Sequence, residues 1–287
     1  MILFFLTAFG LGWLFQLLAA YSPFWLAATM WTPALGALLE LKREGRLKPR
    51  PFGDDWRGLK TLYKATAPAA FWVALSCLMS FFFVGPNPYT PTAIRVYFLV
   101  PVEAPGWVVY AALPLALAAP FINALIVTFG EEFGWRGYLL PKLARRMGWI
   151  WASAVVGVVW GVWHTPAILV VGHNYGRPWC LECLGAFVLL TLPMSFLHTW
   201  AYLKYGVWGA AFLHGAVNGW AGAYFLLYPH TFGDVVWSIT GLYGAATLTV
   251  TTAAFWLLAT LVARATKIEN LLTSVENKSL DIRLKRA

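Results

Sequence analysis

Apolar runs of about 20 residues recur along the whole chain, and they restrict the fold more than any other feature of the sequence. Only 11% of the 287 residues are charged and 60% are hydrophobic, whereas soluble domains carry roughly 25% charged and 45–50% apolar residues. The runs do not alternate as β-barrel strands do, so they predict helices. Inside lipid every backbone polar group needs a partner within the protein. We therefore expect an all-α, polytopic membrane helical bundle.

The apolar runs predict about eight transmembrane helices in one domain that covers residues 1–287. They lie at residues 2–21, 24–41, 67–84, 107–130, 149–171, 184–203, 207–228 and 235–263. The fourth run contains Pro114 and Pro120, so a kink is expected there. The first run lacks a basic segment before it and is too long for a signal peptide, so we interpret it as a membrane helix.

The positive charge is concentrated in a few polar segments. The net charge is +9, and every Lys and Arg other than Arg95 and Arg177 falls in the loop 42–64, the segment 131–148, the turn at Lys204 or the tail 264–287. With eight helices, these segments and both termini face the same side. Lys and Arg accumulate in cytoplasmic loops, so we predict cytoplasmic termini. The basic balance is then explained by membrane lipid as a partner, without nucleic acid.

Ionisable side chains inside apolar helices cost at least about 2.5–3.5 kcal/mol each, so the few that occur are candidates for function. Glu132 and Arg136 are spaced i, i+4 and can form a salt bridge on one helix face. Glu131 points about 100° away from Glu132 and has no local partner. The acids lie in GEEFGWRGYL, residues 130–139.

Two further motifs place polar side chains on other helices. In WGVWHTP, residues 160–166, Trp160 and His164 share a face; in FLHGAVNGW, residues 212–220, His214 and Asn218 do. Each motif alone has a structural interpretation as a salt bridge, a packed histidine or an interhelical clamp. Together they place two acids, two histidines and an amide on three helices.

The remaining histidines and the cysteines carry less information. We interpret His198, near the end of the sixth run, as a structural residue, and we give the loop residues His173 and His230 no role. A single CxxC pair, Cys180 and Cys183, is a weak signal for zinc or redox chemistry. A local disulfide and free thiols are both compatible with it.

The three motifs together resemble the signature of the CPBP family, the CAAX prenyl and bacteriocin-processing intramembrane proteases. The family pattern is EExxxR, then FxxxH, then HxxxN or HxxxD. This chain has Glu131-Glu132-x-x-x-Arg136, Trp160-x-x-x-His164 and His214-x-x-x-Asn218. Trp160 stands where Phe is usual, and the resemblance covers about residues 120–230.

The resemblance implies an intramembrane endopeptidase that cleaves near the C-terminus of a prenylated protein or peptide. In the mechanism we favour, which needs no cofactor, Glu131 and His164 activate a water molecule. His214 and Asn218 stabilise the oxyanion, and Glu132 with Arg136 holds the motif in place. The alternative is a zinc site of Glu131, His164 and His214, although the chain lacks HExxH.

A function of another class is also compatible with the sequence. A non-catalytic membrane scaffold or immunity protein could use the same polar residues as clamps between helices. A transporter is less favoured, because the sequence shows no inverted repeat.

Overall fold

The computed structural model describes residues 1–47, 56–85 and 108–284. The predicted loop that contains Arg95, the middle of the loop 42–64 and the end of the tail lie outside these residues. The described chain consists of helices and their connections and contains no strand.

The chain begins with helices α1 (Ile2–Leu18), α2 (Phe24–Arg43) and α3 (Leu59–Phe83). A long helical stretch follows, which we divide into α4 (108–147) and α5 (149–163), and then the short α6 (Thr165–Leu169). A second long stretch, Leu181–Leu227, is divided into α7 (181–205) and α8 (207–227). After a 3-10 turn at Pro229–Thr231, the last helix is α9 (Leu242–Leu284).

Within the part of the chain that the structure describes, five helical stretches are long and apolar enough to cross a membrane. They are Phe24–Arg43, Leu59–Phe83, Ala116–Trp163, Leu181–Gly222 and Leu242–Arg264, and Ile2–Leu18 is a shorter apolar helix. The prediction of an all-α membrane bundle is confirmed. The number of eight membrane crossings stays a prediction.

Two glycines break the long helical stretches. Gly148 has φ 77° and ψ 165°, and Gly206 has φ 75° and ψ −170°. This region of backbone space is essentially reserved for glycine. Each glycine therefore ends one helix and starts the next without a separate loop, at boundaries that agree with the apolar runs beginning at residues 149 and 207.

The fourth helix does not end at Gly130, as expected from its apolar run, but continues to residue 147. The expectation was wrong because the first charged side chains that follow, Glu131, Glu132 and Arg136, are buried against partners inside the protein. The helix widens into π-helical turns at Ala124–Thr128 and Phe133–Leu139. Pro120 removes one backbone donor, and the indole N–H of Trp220 donates to the freed carbonyl of Ala116 at 2.6 Å.

Other helix limits differ from expectation by a turn or more. α3 begins at Leu59 rather than at residue 67, and α9 begins at Leu242 rather than at 235 and runs to Leu284. Residues 234–241 instead form turns, in which the Asp234 carboxylate accepts the backbone N–H groups of Val236 and Trp237. The fifth helix stops at Trp163 instead of residue 171, because the chain bends at His164 before α6.

Helices α7 and α8 lie at the centre of the bundle, between α3, α4, α5 and α9. Small residues allow close approach. A Cβ on Gly215 would lie 2.6 Å from the Pro120 carbonyl oxygen, and one on Gly219 would lie 2.3 Å from the Ala119 Cβ. The face of α8 that carries His214 is thereby held against α4. At the start of α7, Cys180 and Cys183 form a local disulfide.

Candidate active site

Glu132 is a fully buried acid that two other side chains hold in place. Its Oε1 accepts hydrogen bonds from Arg136 Nη1 at 3.0 Å and from His214 Nδ1 at 2.9 Å. All three side chains are buried. The i, i+4 pair expected from the sequence therefore forms, and it also ties α4 to α8 through His214. Breaking such a buried pair typically costs about 3–5 kcal/mol, because one charge loses its partner.

Glu131 lies beside this pair with a different partner. Its Oε2 accepts the indole N–H of Trp160 at 2.6 Å, and the side chain is 1% exposed. Its Oε1 accepts no hydrogen bond from the residues that the structure describes. Of the two neighbouring acids, Glu131 is the one without a guanidinium in hydrogen-bond reach. It is therefore better placed than Glu132 to take up a proton.

Trp160 connects the acids to the second motif. Its ring lies 4.5 Å below the Arg136 guanidinium, and its backbone carbonyl accepts a hydrogen bond from His164 Nδ1 at 2.8 Å. A carbonyl can only accept, so Nδ1 of His164 carries the proton and Nε2 presents a lone pair. His164 is partly exposed and packs between Trp163 and Phe187. Its orientation leaves Nε2 free to accept a proton or a hydrogen bond.

His214 and Asn218 follow one another on the same face of α8, but their surroundings differ. His214 is buried, whereas Asn218 is exposed. Nδ1 of His214 is fixed by the Glu132 carboxylate, which leaves Nε2 for another partner. An imidazole on a carboxylate, followed one turn later by an accessible amide, forms a polar edge that reaches from the buried acids to the protein surface.

His198, which we interpreted as structural, lies in the same cluster. Its Nδ1 donates to the Met194 carbonyl at 2.8 Å, and its Nε2 is 4.0 Å from Glu132 Oε1. This nitrogen and Glu132 Oε2 are both buried, and neither has a hydrogen-bond partner among the described residues. The ring also packs edge-on against His214 and Trp160. The sequence did not predict the position of His198, because no other motif residue lies on the same helix at a spacing that would link them.

The distances between donor atoms determine which residues could hold a metal ion. Among the residues that the structure describes, the group whose donor atoms lie within 4.8 Å of one another is Glu132, His198 and His214. The zinc set that the resemblance offers as an alternative, Glu131, His164 and His214, does not form such a group among these residues. The carboxylate of the group that does form already has a cationic partner in Arg136. The described residues therefore do not fit that alternative zinc site, and we derive no step through a metal.

The other polar candidates lie away from this cluster. His173 and His230 are in the connections after α6 and α8, as expected, and the disulfide is at the start of α7. Gln16 in α1 also contacts the site region, through the backbone next to His164. The sequence offered a signal for Gln16, since it is the amide within the first apolar run.

Comparison with known proteins gives one family and one curated relative. Residues 112–220 match the model of the type II CAAX prenyl endopeptidase Rce1-like family. CAAX prenyl protease 2 of Methanococcus maripaludis is 37% identical over 87 residues. That match covers 29% of this chain and 31% of the relative, so it spans about a third of the relative's length. The matched family segment contains all three motifs of the site together with His198. Residues 112–220 of this chain are therefore similar to the Rce1-like family of type II CAAX prenyl endopeptidases.

Proposed function

We propose that the protein is an intramembrane endopeptidase that hydrolyses a peptide bond near the C-terminus of a prenylated protein or peptide. The observation that carries the proposal is the unequal pairing of the two neighbouring acids. Glu132 is held by Arg136 and His214, whereas Glu131 has a single neutral donor, the Trp160 indole, among the described residues. An acid paired with a guanidinium suits a structural role, and a neighbouring acid that has only a neutral donor suits a general-base role.

The proposed reaction begins with a water molecule between Glu131 and His164. The water oxygen attacks the carbon of the peptide carbonyl while Glu131 takes a proton from the water. His164 Nε2 accepts a hydrogen bond from the same water. The C–O bond forms while the carbonyl π bond breaks, which leaves a negative charge on the carbonyl oxygen. Collapse of this intermediate breaks the C–N bond, and the proton held by Glu131 goes to the leaving amine.

His214 and Asn218 are proposed to stabilise the oxyanion. His214 donates Nδ1–H to the Glu132 carboxylate, which fixes the ring. In the imidazolium form, Nε2–H would donate to the oxyanion. The accessible Asn218 amide supplies another donor. Removing a single donor of this kind costs about 2.7–4 kcal/mol of transition-state stabilisation.

The test is cleavage of a fluorogenic farnesylated CAAX peptide by the purified protein in detergent. Glu131→Gln is matched with Glu182→Gln, because Glu182 is an exposed acid at the start of α7. His214→Asn is matched with His230→Asn, a change at an exposed loop histidine. We expect Glu131→Gln and His214→Asn to lower kcat by at least about a hundredfold. The two matched variants should retain wild-type rates.

The same assay separates the alternatives. Activity that persists in a strong zinc chelator is expected, whereas its loss, with recovery on adding zinc, contradicts the cofactor-free mechanism. If the wild type cleaves an unprenylated peptide equally well, the prenyl part of the proposal is wrong. If Glu131→Gln and His214→Asn preserve the cellular function, the scaffold interpretation replaces catalysis.

A further inference from the structure

The side chain of Gln16 lies inside a break in a helix that belongs to another part of the chain. It is 1% exposed and comes from α1, outside the family-matched residues 112–220. Its Nε2 donates to the Trp163 carbonyl at 2.9 Å, and its Oε1 accepts the Ala167 N–H at 3.0 Å. In a continuous helix, Ala167 N–H would donate directly to the Trp163 carbonyl. The Gln16 amide thus replaces one backbone hydrogen bond by two.

The break that Gln16 occupies is centred on His164. Helix α5 ends at Trp163, His164 has φ −79° and ψ 4°, and α6 begins at Thr165. Pro166 has no N–H to give to Val162, whose carbonyl instead accepts the hydroxyl of Thr165. Regular bonding resumes at once, since Ile168 N–H donates to the His164 carbonyl at 3.0 Å. A side chain inserted into the ladder is a recognised cause of such a bend.

Close packing holds Gln16 in this position. A Cβ on Gly12, one turn earlier in α1, would lie 2.7 Å from Trp163 Nε1. That indole N–H donates to the Ala8 carbonyl at 2.6 Å, and Trp13 Nε1 adds a second donor to the Trp163 carbonyl at 3.0 Å. α1 and the end of α5 therefore approach closely enough for the amide to span both sides of the break.

We infer that Gln16 is a positioning residue that sets the orientation of His164 by holding the α5–α6 break open. The inference rests on the proposed function, because it assigns to Gln16 an effect on the base-side histidine of that reaction. Without the amide, the Ala167 N–H and Trp163 carbonyl are left to bond each other, and the helix straightens at residue 164. The ring would then turn away from its present position, although no residue of the matched family segment has changed.

The first test is Gln16→Met, which keeps the length and volume of the side chain and removes both hydrogen bonds. We expect kcat for the farnesylated peptide to fall by about ten- to a hundredfold, the cost of misplacing a catalytic group by about 1 Å. KM should stay within about twofold, since the interaction acts in the transition state. Trp13→Phe is the matched control, because it removes one donor to the same carbonyl and leaves the Gln16 bridge. It should keep the wild-type kcat.

A second readout does not depend on activity. Diethyl pyrocarbonate acylates accessible imidazole nitrogens, and peptide mapping by mass spectrometry reports each histidine separately. In Gln16→Met we expect the acylation rate of His164 to change severalfold, with exposed His230 unchanged as an internal reference. The thermal unfolding midpoint in detergent shows whether the variant is folded at the assay temperature.

The outcomes separate the inference from the proposed function. Absence of cleavage by the wild type contradicts the function, while a changed His164 acylation rate still supports the positioning role. A wild-type enzyme that cleaves, together with a Gln16→Met variant of equal kcat and equal His164 reactivity, overturns the inference. A loss of kcat that appears only above the unfolding midpoint of the variant overturns it too, because the role is then stability alone.

Discussion

At the scale of single residues, the site is organised by which donor each carboxylate oxygen receives. Glu132 Oε1 takes two donors, from Arg136 and His214, and Glu131 Oε2 takes the Trp160 indole. Adjacent acids on one helix turn thus differ in their hydrogen-bond partners without differing in burial. The i, i+4 spacing was sufficient to predict the Glu132–Arg136 pair. The contact with Trp160 was not predictable. A tryptophan in an apolar helix is usually a packing residue, and the sequence does not show that this helix lies beside Glu131.

A prediction at this scale concerns Trp160, because the CPBP family, which the three motifs resemble, usually has Phe at this position. Trp160→Phe keeps the ring that covers Arg136 and removes the N–H that holds Glu131. Hydrogen bonds to charged groups contribute about 1.5–3 kcal/mol, so we expect kcat for the farnesylated peptide to fall by about tenfold, less than in Glu131→Gln. Trp72→Phe is the control, because it loses buried hydrogen bonds to Gly244 and Thr247 distant in sequence from the motifs. Equal kcat for wild type and Trp160→Phe contradicts the role given to the indole.

At the scale of helices, apolar run length predicted most of the elements and failed where charge is neutralised inside the protein. The apolar run at residues 107–130 predicts a helix that ends at Gly130, because two acids follow it. Those acids are paired in the bundle, so the helix continues through them. Conversely, the sequence did not predict that the fifth helix ends at His164, because Pro166 alone does not determine where the helix bends. Gln16, far away in the chain, supplies the hydrogen bonds that fix it there.

A prediction about Gly148 concerns the division of a long helical stretch into α4 and α5 at a single residue. A Cβ there would meet no atom within 4 Å, but φ is +77°, so Gly148→Ala is disfavoured by backbone conformation alone. We expect it to lower the free energy of unfolding by about 1–3 kcal/mol. Gly185→Ala is the matched control, since that glycine is also in open space but in a regular helix. It should be neutral or stabilising by up to about 1 kcal/mol. Thermal unfolding in detergent distinguishes the two, and equal midpoints contradict the assignment.

At the scale of the whole molecule, contacts between distant segments sort the connections into two ends. At one end, Lys142 pairs with Glu44, Arg57 donates to the Lys204 carbonyl, and the amino terminus pairs with Glu40. These links gather the segments that hold most of the Lys and Arg. Elsewhere, the Tyr175 hydroxyl donates to the Thr240 carbonyl, so the connections after α6 and α8 meet. The grouping agrees with the charge pattern from which we predicted the topology.

The charge asymmetry predicts that the end with Glu44 and Lys142 is cytoplasmic. Arg46→Cys and Arg177→Cys place a thiol at exposed positions in the two groups of connections. Cys77 is replaced by Ala in both, because it is the free cysteine among the described residues, whereas Cys180 and Cys183 are bonded. In intact cells, a membrane-impermeant maleimide should label Arg177→Cys and leave Arg46→Cys unlabelled until the membrane is permeabilised. Labelling of Arg46→Cys in intact cells would reverse the orientation. The proposed site would then face away from the compartment in which prenylated substrates are made. Labelling of both variants in intact cells would place the two groups of connections on the same side, and the prediction of eight crossings would fail with it.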